Sequence, residues 1–285
     1  MVTLEDLKTP KTNTWCPGCG NFGILMALKK ALIELGLKRE DAVLVSGIGC
    51  HGKIVNYMNV NGFHGIHGRV LPTATGIKLS NPKLTVVGCA GDADQYSEGW
   101  GHFVHAIRRN IDMTLIVHDN MVFGLTTGQA TSTSQLGFKS KSTPFGVISP
   151  MLNPLAHALV SDATFVARGF SGDMFHLKGL IVEAIKHRGF ALIDVFQPCV
   201  SFNYLNTYDW FSKRVYKLEE ENHDVTDRKK ALEKALEWGD RIPIGILYNK
   251  ERPTYHDGIS YLNDVNLTRL PKDNMDITAT MKEMM

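Results

Sequence analysis

The sequence predicts an α/β protein: a doubly wound, mainly parallel sheet with helices on both faces, plus a C-terminal extension. Three observations predict it. Short apolar runs rich in β-branched residues alternate with segments of helical period. The runs are short enough for buried strands. Each is followed by a loop of glycine and polar residues, and open α/β sheets bind ligands beyond the carboxyl ends of their strands.

The elements follow in chain order. In NFGILMALKKALIELG, Ile24, Leu25, Leu28, Leu32 and Leu35 recur at helical spacing and Gly36 stops the run. DAVLVSGIGC is a short buried strand ending in a glycine turn. NGFHGIHGRVLPTATGIKLSNP is a loop feeding a helix from about Pro72, and KLTVVGCAGD is a second buried strand. SEGWGHFVHAIRRN is amphipathic, with Trp100, Phe103, Val104 and Ile107 on one face. MTLIVHDN is a third strand, LKGLIVEAIKHRG a helix and FALIDVFQPC a fourth strand. The last third changes character. One helix is expected near residues 227–238, with Asp227 as its N-cap, then a strand IPIGILY, then a polar tail. The expected division is a ligand-bearing unit over 1–205 and an extension over 206–285, a lid or subunit-docking arm.

Composition narrows the function. A chain of 285 residues suits one large domain or two smaller ones. Its 44% apolar and 21% charged residues are ordinary for a soluble globular protein. A net charge of +2 argues against nucleic acid or an anionic membrane as partner. The polar start MVTLEDLKTP lacks the apolar core of a secretory signal, and no run of about 18 apolar residues exists. A cytoplasmic protein is expected, where cysteine groups bind metals or do chemistry rather than pair.

There are five cysteines. Cys89 lies inside an apolar run and reads as an inert buried thiol. Cys16, Cys19, Cys50 and Cys199 each adjoin turn formers, in CPGC, GIGCHGK and QPCVSF. A backbone that turns sharply can aim its N–H groups at sulfur. Cys19 also precedes a helix, whose positive end favours a thiolate. Zinc, a redox dithiol and an iron–sulfur site all remain open on the residues alone.

A second pattern needs other chemistry. GDAD ends one strand, a helix follows, and the next strand ends in Asp119–Asn120. Parallel topology brings Asp92 and Asn120 to adjacent strand ends. A carboxylate, an amide oxygen and a nearby carbonyl form a hard oxygen set suited to Mg²⁺, which completes its shell with phosphate and water. GD alone would be a plain βα turn; DNMVFG after the second strand favours the metal.

This spacing resembles the diphosphate motif of thiamine diphosphate enzymes, with Ala93 in place of the second glycine and Asp119–Asn120 in place of an Asn pair. TWCPGCGNFGIL, GIGCHGK, HGIHGR, LPTATG, GDAD, DNMVFGLTTGQ and QPCVSFN occur in order. Together, over residues 12 to 260, they resemble the β subunit of the 2-oxoacid:ferredoxin oxidoreductases. The resemblance implies the diphosphate-binding half of a thiamine diphosphate fold. It implies a [4Fe–4S] cluster on Cys16, Cys19, Cys50 and Cys199, and Mg²⁺ on Asp92, Asn120 and the carbonyl of Val122. Ile48, Gly49, Cys50, His51, His67, Gly91, Asp92, Gly124 and Leu125 would contact the cofactor. Lys53 would face the substrate carboxylate, and Lys53 and His67 are the expected catalytic residues.

The implied reaction is oxidative decarboxylation of a 2-oxoacid with coenzyme A as acyl acceptor. Electrons leave singly through the cluster to ferredoxin. GLTTGQATSTS with KSTPFG resembles the two-subunit type more than the four-subunit pyruvate type, which favours 2-oxoglutarate or a broad 2-oxoacid range, then pyruvate. An α subunit would supply the pyrimidine-binding half, in a heterodimer or a dimer of heterodimers. Two rivals are a non-oxidative thiamine diphosphate decarboxylase, which has no use for four cysteines, and a zinc-stabilised scaffold, which has no use for Asp92 and Asn120.

Overall fold

The computed structural model describes residues 2–259, 265–270 and 277–284. Parts of the expected polar tail, 260–264 and 271–276, lie outside the described residues. One eight-stranded sheet organises the chain. Its strands are β1 (Ala42–Ser46), β2 (Asn61–His64), β3 (Thr85–Gly91), β4 (Met113–Asp119), β7 (Phe165–Phe170), β8 (Phe190–Phe196), β9 (Val215–Lys217) and β10 (Ile242–Asn249). β5 (Val122–Phe123) and β6 (Gln129–Ala130) form a separate small hairpin. The strand order is β2-β1-β3-β4-β8-β7-β10-β9. All pairs are parallel except β10 against β7. The expected doubly wound, mainly parallel sheet is present.

Helices cover both faces, as strands buried on two sides require. α1 (Asn21–Glu34) and α5 (Met174–Lys186) pack on one face over Leu44, Val87, Ile116 and Ile193. α2 (Val70–Ser80), α3 (Trp100–Arg109), α4 (Pro154–Val160) and α7 (Arg228–Leu236) cover the other, over Val45, Val86, Leu115 and Leu192. These two sets alternate along β1, β3, β4 and β8, because successive side chains point to opposite faces. The caps are local: Asn153, Asp173 and Asp227 each accept from a backbone N–H of the first turn of α4, α5 and α7. Two short helices, α6 (Tyr208–Ser212) and α8 (Thr278–Glu283), complete the described chain.

Several elements differ from the sequence reading. The helix expected from about Pro72 begins at Val70. Part of the stretch read as a loop, Asn61–His64, is the exposed edge strand β2. β7 gives a weak strand signal because Arg168 interrupts its apolar run, yet that arginine is buried. The expected strand IPIGILY is β10, which adds antiparallel to β7 and so carries the sheet past residue 205, while β9, which was not expected, pairs with β10.

Candidate cofactor and metal site

The carboxyl ends of β1, β3, β4 and β8 lie along one edge, so the loops after them meet there. Two adjoining cavities result. The smaller, about 90 Å³, is lined by Ile48, Gly49, Cys50, His51, His67, Gly91, Asp92, Asn120, Val122, Gly124 and Leu125, together with Ala93, Asp94, Phe123 and Thr126. Every residue expected to touch diphosphate or its metal is therefore brought together. Gly49 has φ 139°, a conformation that a side chain would strain. It lets the loop after β1 turn back over the cavity.

Sequence reasoning passes over Asp94, the second acid of GDAD. It is 1% exposed and sits where three loops cross. Its Oδ1 accepts from the backbone N–H of Gly68 at 2.8 Å and of Ile48 at 3.3 Å. His67 Nδ1 lies 3.0 Å from Oδ1, and His51 Nε2 lies 3.4 Å from Oδ2. Burial raises the Asp94 carboxyl, but His51, Gly68 and His67 outweigh that and hold it below its ordinary value. His51 Nε2, His67 Nδ1 and Asp94 Oδ2 face one another at these distances without a well-formed hydrogen bond. Ala93–Glu98 forms a single π-turn, a distortion frequent at functional sites. It aims Asp92 and Asp94 at different neighbours.

Asp92 belongs to a buried network behind the cavity. The Thr133 hydroxyl lies 2.8 Å from Asp92 Oδ2 and 3.0 Å from Asp119 Oδ1. One proton serves two carboxylates. Burial pushes Asp92 up, and pushes Asp119 well up with help from Asp194 and Asp92. Burial also raises Asp194, opposed by Arg168, to about 6. Tyr96 donates to Asp194 at 2.8 Å. Buried carboxylates held this way invite a cation. Asn120 Oδ1 accepts from Val122 N–H at 3.0 Å, which fixes the amide and keeps a second lone pair for a metal. A hard divalent ion suits these oxygens.

The larger cavity, about 210 Å³, is lined by Cys16, Cys19, Cys50 and Cys199, with Lys53, Asn120, Gly124 and Leu125 among its other walls. Residues far apart in sequence thus meet as expected, and Cys89 stays buried in β3. Gly124 forms the cradle: a Cβ there would lie 3.6 Å from Cys50 Sγ and 3.7 Å from Cys199 Sγ. Ser201 Oγ donates to Cys16 Sγ at 3.1 Å, and Gln197 Nε2 donates to Cys19 Sγ at 3.4 Å. The Trp15 indole N–H fixes the Cys50 carbonyl at 2.6 Å. Such bonds around sulfur tune iron–sulfur sites. Their sequence signal is only adjacency to CPGC and QPC.

The helix expected beside Cys19 is there, and the Asn21 N–H lowers its pKa. Burial outweighs it, and the other three cysteines add to the rise, so the thiol is pushed up to about 12. A bound cation would deprotonate such a thiol. Among the described residues no three His, Cys, Asp or Glu side chains converge closely enough to hold a single ion. Lys53 is on the cysteine side, where Nζ donates to Thr14 Oγ1 at 3.0 Å.

Residues 47–195 match the family described as thiamine pyrophosphate enzyme, C-terminal TPP binding domain. Residues 199–264 match the family of the C-terminal part of the pyruvate ferredoxin oxidoreductase β chain. A 2-oxoacid:ferredoxin oxidoreductase subunit beta from a Sulfolobus species is 52% identical over 264 residues, covering 88% of this chain and 87% of the relative. The chain belongs to the β-subunit family of the 2-oxoacid:ferredoxin oxidoreductases. A 2-oxoglutarate synthase subunit KorB from Methanocaldococcus jannaschii is 33% identical over 241 residues, covering 85% of this β subunit and 89% of the relative. A 2-oxoglutarate:ferredoxin oxidoreductase from Magnetococcus marinus, solved with 2-oxoglutarate, coenzyme A and succinyl-CoA bound, is similar with a TM-score of 0.91 and 34% identity. That match covers 100% of this chain and 96% of the other. The matched thiamine pyrophosphate domain of the β subunit begins at the loop after β1 and runs to β8, and so includes the strand-end loops that build the aspartate-lined cavity. No helix among the described residues is long and apolar enough to cross a membrane.

Proposed function

We propose that this β subunit acts with an α subunit that supplies the pyrimidine-binding half, in a cytoplasmic heterodimer or dimer of heterodimers. The complex oxidatively decarboxylates a 2-oxoacid, 2-oxoglutarate before pyruvate, with coenzyme A as acyl acceptor and ferredoxin as electron acceptor. The Magnetococcus and KorB relatives, whose names specify 2-oxoglutarate, support that order. When bound, thiamine diphosphate supplies the carbanion chemistry and a [4Fe–4S] cluster the one-electron steps.

The chain's own residues have separate tasks. Asp92, Asn120 and the Val122 carbonyl hold Mg²⁺. Thr133 orients Asp92 from behind. Asp94 locks the loops of His51 and His67, which face the diphosphate. Cys16, Cys19, Cys50 and Cys199 hold the cluster, and Gln197 and Ser201 donate to the sulfurs of Cys19 and Cys16. Lys53 attracts the substrate carboxylate, and the segment beyond residue 205 serves as a lid or docking arm.

One observation carries this reading. Cys50 lines both cavities, so a single loop touches the cofactor site and the thiol site. An electron donor and its acceptor gain from that adjacency; a zinc scaffold does not. The test is anaerobic purification with the partner subunit, followed by iron, sulfide and zinc analysis and a reduced-state EPR spectrum. About four irons per β subunit are expected, with the signal lost in Cys16→Ala. Zinc without iron would overturn the redox reading.

A further inference from the structure

We infer that the face around Cys16 is the docking surface for the electron carrier, an acidic one-electron iron–sulfur protein of the ferredoxin class. This rests on the cluster reading above. Of the four thiols lining the larger cavity, Cys16 alone is exposed; Cys19 is buried, and Cys50 and Cys199 are half-buried. An electron leaving the site has its shortest way out past Cys16.

Charge points to the partner's chemistry. Every residue lining the cysteine cavity comes from one of four segments: 7–33, 42–91, 120–161 and 195–208. None of these contains an Asp or Glu, although the chain has 29. Lys11, Lys30 and Lys53 lie on these segments and pair with no carboxylate among the described residues. A net charge of +2 hides this asymmetry. A basic face speeds encounter with an acidic partner and repels basic ones.

The same face carries apolar contact area. Phe22, Met26 and Lys30 recur every four residues and share the outer side of α1, and the next position in that row, Glu34, is paired with Lys178. Phe22 packs edge-on against Trp15, with ring centroids 5.4 Å apart. Across the CPGC loop, a Cβ on Gly18 would lie 3.7 Å from Val200 Cγ1, so Val200 abuts the loop. Tyr204, 77% exposed, stands on the same side. Apolar and aromatic groups rimmed by lysines form a transient interface of the kind electron carriers use.

The test uses the purified α–β complex and an acidic ferredoxin. Lys11→Glu/Lys30→Glu and, separately, Tyr204→Ser are compared with wild type. Ferredoxin KM should rise roughly tenfold in the double variant and severalfold in Tyr204→Ser. In wild type it should rise with ionic strength. Iron content, the EPR signal, turnover with methyl viologen and the KM for coenzyme A should all be unchanged. A ferredoxin KM within twofold of wild type in both variants, with the EPR signal intact, would overturn the inference and leave the cluster reading standing. A rise in the KM for coenzyme A instead would assign the face to that polyanion. Loss of the α–β complex in the double variant would assign it to the α subunit. Absence of iron from the wild-type complex would overturn the cluster reading, and this inference with it.

Discussion

The two adjoining cavities share Cys50, Asn120, Gly124 and Leu125 but are built from opposite chemistry. The smaller one holds Asp92 and Asp94, and a further buried acid, Asp119, meets Asp92 through Thr133. The larger one has no carboxylate in its walls. The difference follows the ions each is proposed to hold. A hard divalent cation needs oxygen and gains from nearby negative charge. A cluster of thiolates already carries negative charge, and carboxylates beside it would oppose reduction. Acids kept behind β3 and β4, and out of the cysteine loops, would let both proposed sites operate within one loop's reach.

The two cavities should respond most differently to loss of the shared thiol. Cys50→Ser should reduce bound iron from about four atoms per chain to near none and abolish ferredoxin reduction, as read by iron analysis and EPR. Thiamine diphosphate retention, measured by release and fluorescence assay, should fall far less. Asp92→Asn should do the reverse. Iron stays, while Mg²⁺-dependent cofactor binding measured by calorimetry weakens roughly 100-fold or more, beyond what an outer-shell change costs.

Thr133→Val sharpens the picture from behind the site. It removes the donor shared by Asp92 and Asp119. Mg²⁺ affinity should drop about tenfold, and stability should fall by about 1–3 kcal/mol because a buried acceptor loses its donor. Thr133→Ser should restore both.

Asp194 makes the acid side visible in pH. Its carboxyl sits at about 6, above the ordinary 3.8, chiefly through burial. The folded chain therefore holds a proton that the unfolded chain has lost between about pH 4 and 6. This contribution is full below about pH 4 and is lost as pH rises through 6. The stability of wild type relative to Asp194→Asn, from thermal unfolding of the complex, should fall by roughly 1–3 kcal/mol across that window. A flat difference would mean that Asp194 is not held up. The smallest effect belongs to the fifth cysteine. Cys89→Ala should leave iron and cofactor unchanged and cost about 1 kcal/mol, the value of a small buried group.

Much of this arrangement was legible in the sequence, because its signals are local. Alternating β-branched and helical periods marked β1, β3, β4 and β8. Turn formers beside Cys16, Cys19, Cys50 and Cys199 separated them from Cys89, and the strand-end positions of Asp92 and Asn120 gave the oxygen pair. Periodicity and turn chemistry need no distant partner to be read. What the tertiary structure decided depends on distant partners. Arg168 hid β7 because a buried arginine becomes tolerable only once Asp194 lies opposite it on β8. Asp94 carried no signal of its own in GDAD until the loops of Ile48 and Gly68 met at its carboxylate. Thr133 sat in a polar stretch with no signal until its hydroxyl met Asp92 and Asp119. The Cys19 thiol was expected to be favoured as thiolate by its helix, but burial among three other thiols reversed the balance. Desolvation belongs to the packed whole, and no local stretch of sequence records it.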